Sequence, residues 1–133
     1  MMGELLEWAN SLGVAEFRHA TMFGTNVVFA ESDAASMSLR YGRFSDGEHM
    51  NPLLRGKPAI GIDYKERNGS YYGMSCMYIP AERGKLERAV HLYAGKGGFE
   101  PPAMAPLFAP DGDAAWEAVE AYMRAIEGVG GDS

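Results

Sequence analysis

The sequence predicts a single α+β domain, in which an antiparallel sheet of four to five strands has an N-terminal helix and two C-terminal helices packed on it. Three observations lead to this prediction. The chain has 133 residues, the size of one ordinary domain. Apolar residues recur at helical spacing near both ends and follow strand-like patterns in between. The dipeptide Asn68-Gly69, a strong hairpin signal, separates two of the strand-like runs. We expect the domain to span residues 1–127 and a flexible tail to occupy residues 128–133.

Three segments have the apolar spacing of amphipathic helices, namely residues 3–12, 81–95 and 114–128. Gly13 and Gly95 terminate the first two, and Asp111 or Asp113 supplies the N-cap of the third. The apolar stripes consist of Leu5, Trp8, Ala9 and Leu12, of Leu86, Ala89, Val90 and Tyr93, and of Trp116, Val119, Met123 and Ile126. Each stripe is typical of a helix that packs on a core.

Between the first two helices, β-branched and aromatic residues predict strands. Residues 25–31 form one strand and residues 36–44 form the strand that returns beside it. Residues 45–58 hold two prolines and two glycines, which indicates a loop. Residues 99–110 hold four prolines and therefore form an extended connection.

A hairpin over residues 59–80 is the clearest local prediction. Asn68-Gly69 suits a two-residue turn because both turn positions need a positive φ. With the turn placed there, Ile60 lies opposite Met77, and Asp63 shares the other face with its apolar neighbours. Both faces then mix polar and apolar residues, so both are expected to be partly covered.

Composition and charge favour a soluble cytoplasmic protein and make nucleic acid an unlikely partner. Hydrophobic residues are 47% and charged residues 23% of the chain, as in ordinary soluble domains. The net charge of −6 gives no general attraction to phosphate backbones. The chain starts without the basic and apolar pattern of a signal peptide, and no apolar run is long enough to span a membrane. We therefore expect contact with neither membranes nor nucleic acid.

The cysteine and histidine residues predict neither a metal site nor a cofactor. Cys76 is the only cysteine, which excludes an internal disulfide and a zinc site of several thiolates. It lies in the middle of a predicted strand, where a free cysteine usually fills the core. The three histidines, His19, His49 and His91, form none of the short pairings that bind metals.

No residue is a confident catalytic group, but three are candidates for acid–base chemistry: His19, Asp63 and His49. In the predicted hairpin Asp63 has apolar neighbours, and burial there would favour the protonated form that a general acid needs. Exposure to solvent, or an ion pair with Arg40 or Lys65, would instead make it an ordinary surface carboxylate. His49 shares its polar loop with two carboxylates, although loop residues of this kind are more often solvated.

The stretch FRHATMFGTNVVFA places two basic residues before a Met-Phe-Gly. Gly24 admits a positive φ or a close approach at the head of the strand, while Met22 and Phe23 are expected to enter the core. A pocket, if one exists, is expected where this corner meets the hairpin. The polar groups expected there are Arg18, His19, Asp63 and Tyr72.

The proline-rich connection is a second candidate for binding. It carries three large apolar residues, Met104, Leu107 and Phe108. Either the segment lies across the core as a strap, or it presents an apolar patch to a partner.

Two stretches resemble the N-terminal domain of the TfoX family of competence regulators, over residues 4–95 approximately. In LGVAEFRHATMFGTNVVFA the resemblance rests on Leu12, Gly13, Arg18, Met22, Phe23 and Gly24. In GMSCMYIPAERGKLERAVHLYA it rests on the strand-to-helix corner formed by Tyr78, Ile79 and Pro80. Thr25 stands where that family usually has a second glycine, and the last helix has no counterpart there. The resemblance implies a small regulatory or adaptor-like domain with no defined enzymatic site.

These observations favour a non-enzymatic regulatory or protein-binding domain that contacts another protein or a second copy of itself. Two alternatives remain open. One is a small enzyme or a protein that binds a small molecule in a pocket between sheet and helix. The other is an acidic inhibitor that masks a basic nucleic-acid-binding surface on its partner.

Overall fold

A computed structural model describes residues 2–22, 24–43, 58–67, 74–80, 82–101 and 112–131. The described chain forms three helices and five strands. In chain order these are α1 (Met2–Ser11), β1 (Arg18–Met22), β2 (Thr25–Glu31), β3 (Ala35–Arg43), β4 (Pro58–Glu66), β5 (Met74–Ile79), α2 (Arg83–Lys96) and α3 (Gly112–Gly131). The predicted α+β class is confirmed. The strand β1 was not predicted.

The five strands form one antiparallel sheet in the order β1-β2-β3-β4-β5. Each strand therefore pairs with its neighbour in sequence, which leaves β1 and β5 at the two edges. Because side chains alternate between the faces of a sheet, each row of paired residues lies on one face. One row joins His19, Val28, Leu39, Ile62 and Met77.

The three helices pack on the face that carries Val28, Leu39 and Ile62, here called the helix face. One continuous core joins this face to α1, α2 and α3. Three aromatic pairs tie the core together. Their ring centroids are 5.0 Å apart in Trp8–Trp116, 4.9 Å in Tyr64–Tyr93 and 4.8 Å in Tyr41–Tyr122. The predicted apolar stripes supply most of the helix residues in this core.

The last turn of α1 is fixed in the way the sequence predicts. Gly13 has φ +69°, and its amide donates to the carbonyl oxygen of Asn10 at 3.1 Å. A residue in this left-handed region after a helix is a common C-terminal stop, and glycine adopts it without steric cost. The chain then turns toward β1.

The hairpin of β4 and β5 differs in register from the prediction. Ile62, rather than Ile60, lies opposite Met77, a shift of two residues. A shift of two keeps every side chain on its predicted face, since the side-chain period in a strand is two. The dipeptide Asn68-Gly69 lies outside the described residues. The predicted turn is therefore neither confirmed nor contradicted, and only the register of the described pairs differs.

The helix α3 is longer than the sequence predicted. It begins at Gly112 and continues to Gly131, beyond the expected end near residue 128. Asp113 lies inside its first turn instead of capping it, and its carboxylate Oδ1 is 2.6 Å from Arg83 Nη2 of α2.

None of the helices among the described residues is both long and apolar enough to cross a bilayer.

Candidate functional site

The strand β1 is the most exposed element of the sheet. Four of its five residues are exposed and Ala20 is half-buried, so both faces of the strand meet solvent. Within the described part of the chain, only β2 pairs with it. In an antiparallel pair, alternate residues direct their N–H and C=O groups away from the partner strand. The outer side of β1 therefore presents backbone groups that another strand can pair with.

A two-residue turn joins β1 to β2, because Met22 pairs with Thr25. Gly24 in this turn has φ +78°, as the sequence predicted for a position that favours glycine. The expectation that Met22 enters the core is wrong. Its side chain is 38% exposed, since it lies with Arg18 on the face opposite the described helices. The Met-Phe-Gly motif is thus a hairpin turn, and Phe23 lies outside the described residues.

A groove of about 550 Å³ runs between α1 and β1. The helix side is formed by Gly3, Leu6, Glu7 and Asn10, and the strand side by Glu16, Phe17, Arg18 and His19. A shallower depression of about 320 Å³ lies further along β1 and is lined by His19, Ala20, Thr21 and Asn26. His19 is common to both, so the two depressions adjoin along the same strand.

Asn10 holds the two walls of the groove together. Its Nδ2 donates to the carbonyl oxygen of Phe17 at 3.2 Å, and its Oδ1 accepts from the Phe17 amide at 2.7 Å. The side chain is buried, so these bonds satisfy backbone groups that water does not reach. Asn10 thereby fixes the point where the chain enters β1.

The charged residues that line the groove are Glu7, Glu16 and Arg18, and they differ in position and in pairing. Glu7 and Glu16 line the groove, and no described cation lies within ion-pair distance of either carboxylate. Arg18 pairs with Phe29 and lies on the face opposite the helices. Its guanidinium Nη2 is 3.3 Å from Glu31 Oε1, and its Cζ is 4.8 Å from the centre of the Phe29 ring. Of the charged residues that line the groove, Glu7 and Glu16 are acidic and in no ion pair with a described cation, whereas Arg18 is basic and already paired.

Asp63 does not belong to this site. It lies on β4, three strands from β1, at a lateral distance of about 14 Å. It also lies on the face opposite the helices, whereas His19 lies on the helix face. Its side chain is 43% exposed and its Oδ2 is 3.6 Å from Arg40 Nε. The ion pair with Arg40 is thus the correct interpretation, and the apolar setting expected for a general acid is wrong.

Two tyrosines with raised pKa values, Tyr41 and Tyr64, pack beneath the helices. Burial, followed by the nearby carboxylate of Glu4 and the phenol of Tyr122, raises the pKa of Tyr41 well above its ordinary value of 10.0. Burial and the carboxylate of Glu66 raise the pKa of Tyr64. Among the described residues, no three His, Cys, Asp or Glu side chains come together to hold a metal ion.

Several predicted site residues lie outside the described residues. They are His49, Tyr72, Met104, Leu107 and Phe108. The predicted pocket between the β1 corner and the hairpin is replaced by the groove between β1 and α1. Of its four expected polar groups, Arg18 and His19 line this groove and Asp63 does not.

A second groove of about 550 Å³ lies on the outer side of α2, where it is lined by Gly84, Glu87, Arg88, His91 and Leu92. His91 is exposed, and its Nδ1 is 2.7 Å from the Glu87 carbonyl oxygen one turn earlier. This groove contains none of the candidate residues and no strand edge.

The sequence did not single out Leu6, Glu7, Asn10 or Glu16. Asn10 carried a weak signal, since an amide in the last turn of a helix often bonds to the backbone that follows. Glu7 and Glu16 looked like ordinary surface carboxylates, because their proximity depends on how α1 folds back toward β1.

Comparison of the chain with protein-family models, with curated proteins and with solved structures gives no match. The resemblance to the TfoX N-terminal domain therefore stays a prediction.

Proposed function

We propose that this chain is a non-enzymatic regulatory or protein-binding domain that binds an extended segment of a protein along β1. The observation that carries the proposal is the outer edge of β1, which pairs with no other described strand, beside the groove formed with α1. An added strand makes main-chain hydrogen bonds with the edge, and its alternate side chains occupy the adjoining groove. This mode needs an exposed edge strand and a neighbouring groove, and β1 provides both.

The arrangement of the walls supports this proposal. The buried amide of Asn10 fixes Phe17 against α1, so the groove is preformed and a ligand does not have to order it. Leu6, which is half-buried, supplies apolar surface on the helix wall. Edge strands that have no binding role are usually shortened, bulged or blocked by proline or inward charges. The strand β1 pairs without a bulge over five residues and contains no proline.

The test begins with selection of random ten-residue peptides against the folded protein. We expect the selected peptides to slow hydrogen exchange of amides in Arg18–Met22. Peptides that protect only α2, the wall of the second groove, would contradict the proposal. Leu92→Ala serves as the control variant, because Leu92 is 63% exposed on that helix and far from β1 in the chain.

A pair of proline variants tests whether the edge backbone is the contact. In an antiparallel strand, one of two adjacent residues directs its N–H toward the partner strand and the other directs it outward. Of Ala20→Pro and Thr21→Pro, one therefore removes a ladder bond to β2 and loses stability. The other removes only an outward donor. We expect this stable variant to weaken peptide binding by about tenfold or more, as loss of main-chain bonding predicts. Unchanged affinity in the stable variant would contradict strand addition.

A further inference from the structure

We infer that the segment bound along β1 is a basic one from another protein, with Lys or Arg at every second position and apolar residues between them. This inference rests on the proposed function, because it names the chemistry of the segment that β1 pairs with. It is carried by the carboxylates of Glu7 and Glu16, which line the groove and form no ion pair with a described cation, whereas the arginine of the lining, Arg18, is already paired with Glu31.

Because of the geometry of a strand, these two carboxylates favour particular residues at every second position of the bound segment. Side chains of an added strand alternate between the faces of the sheet, so every second one lies over the helix face and the groove. There they meet Glu7 on the helix wall and Glu16 at the entry to β1. The aliphatic stem of a lysine or arginine packs on apolar surface such as Leu6 while its charge reaches a carboxylate.

The other face of β1 selects against basic residues at the intervening positions. Side chains there meet Arg18, whose charge is held near the edge by Glu31 and Phe29. They also meet Met22, which is 38% exposed. A second cation beside Arg18 is repelled, whereas an apolar side chain covers Met22 and the stem of Arg18. Basic and apolar residues therefore alternate in the preferred segment.

Charge also argues against a second copy of this chain as the occupant. Each copy carries a net charge of −6, so two copies repel one another at low salt. The strand of a second copy brings one arginine, Arg18, which is already paired with Glu31. In such a dimer, Glu7 and Glu16 of each copy therefore gain no unpaired cation from the other copy.

The experiment uses a labelled synthetic peptide, acetyl-Lys-Val-Lys-Val-Lys-Val-Lys-amide, with Glu and Thr analogues in place of Lys. Affinity is measured by fluorescence anisotropy and the bound position by hydrogen exchange of β1 amides. We expect the lysine peptide to bind at least about tenfold more tightly than the threonine peptide, and the glutamate peptide more weakly than either. Protection should fall on Arg18–Met22.

A matched pair of double variants distinguishes the effect of the groove carboxylates on affinity from the effect of net charge. The double variant Glu7→Gln with Glu16→Gln changes the net charge from −6 to −4, and so does Glu100→Gln with Glu117→Gln. The latter pair is exposed away from the groove. We expect the groove variant to weaken the lysine peptide by about tenfold and the control by less than about threefold. All four residues are at the surface, and circular dichroism checks that both variants stay folded.

The outcomes separate the two proposals. If the threonine or glutamate peptide binds β1 as tightly as the lysine peptide, or if both double variants act alike, the basic preference is overturned and strand addition stands. If the outward-directed amides of β1 are protected without peptide in a protein that sediments as a dimer, the occupant is a second copy and the inference is overturned. If no peptide protects β1, both proposals are overturned.

Discussion

Two strands of the same sheet, β4 and β1, have opposite surroundings. In β4, the residues from Pro58 to Ile62 are buried consecutively, and Tyr64 is buried as well. In β1, four of five residues are exposed and the fifth is half-buried. β4 has a paired strand on each side, whereas β1 is paired on one side only among the described strands. The buried strand β4 contributes to the core, whereas the outer side of β1 pairs with no other described strand.

The contrast extends to the side chains that each strand contacts. Tyr64 of β4 stacks on Tyr93 of α2 with an angle of 15° between the rings. Charged contacts of β1, such as Arg18 with Glu31, lie in solvent, where screening leaves them weak. Substitutions in the two strands should therefore change different quantities: stability for β4 and binding for β1. Three predictions test this difference, from the largest expected effect to the smallest.

The largest effect is expected at Ile62, which is fully buried at the centre of β4. Ile62→Ala removes methyl groups from the core and leaves a cavity, so it should lower the free energy of unfolding by about 2–5 kcal/mol. Thr21→Ala on β1 should change it by less than about 0.5 kcal/mol, because Thr21 is exposed. Urea unfolding followed by circular dichroism measures both. Equal losses in the two variants would remove the distinction between the strands.

A smaller effect is expected at Asn10, which joins α1 to the residue that precedes β1. Asn10→Ala leaves the buried N–H and C=O of Phe17 without their partner, at a cost of about 1–3 kcal/mol in unfolding free energy. Hydrogen exchange at the Phe17 and Arg18 amides should also rise relative to the wild type, and it should rise more than exchange at the amides of β4. The neighbouring variant Ser11→Ala is the control, since the Ser11 hydroxyl donates within α1, to the Trp8 carbonyl oxygen. If exchange rises uniformly along the sheet, Asn10 does not position the edge.

The smallest effect is a pH dependence from Tyr41, which packs under α3 against Tyr122. Its pKa is raised in the folded state, so the folded protein holds the phenol proton more tightly than the unfolded chain does. The stability from this group is fully present below its unfolded pKa of 10.0 and is lost as pH rises from there toward the folded pKa. The urea midpoint should therefore fall above pH 10 or so.

Tyr41→Phe provides the comparison for this pH dependence. The variant should lose less stability than the wild type between about pH 9 and pH 11, because one titrating phenol is gone. Some decline should remain, since the pKa of Tyr64 is raised as well. Parallel curves for the two proteins would show that Tyr41 does not contribute.

Much of the fold could be predicted because it depends on local patterns. The strand Thr25–Glu31 has the predicted bounds, and the stripes of α1, α2 and α3 supply the core. Gly13 and Gly24 both have the positive φ that their positions suggested. The strand β1 could not be predicted, because RHATM shows no alternation of buried and exposed residues. Its five residues become a strand by pairing with β2, which is a non-local cause.

For the candidate site too, some features follow from the sequence and others only from the tertiary structure. By itself, the sequence determined the class of fold and the helix and strand periods. These depend on residues that are close along the chain, whose spacing fixes which face they occupy. Only the tertiary structure decided that Asp63 pairs with Arg40, and that Glu7 and Glu16 share a groove with the open edge of β1. The reason is that register, strand order and helix docking are set by packing between distant segments, which no local pattern encodes.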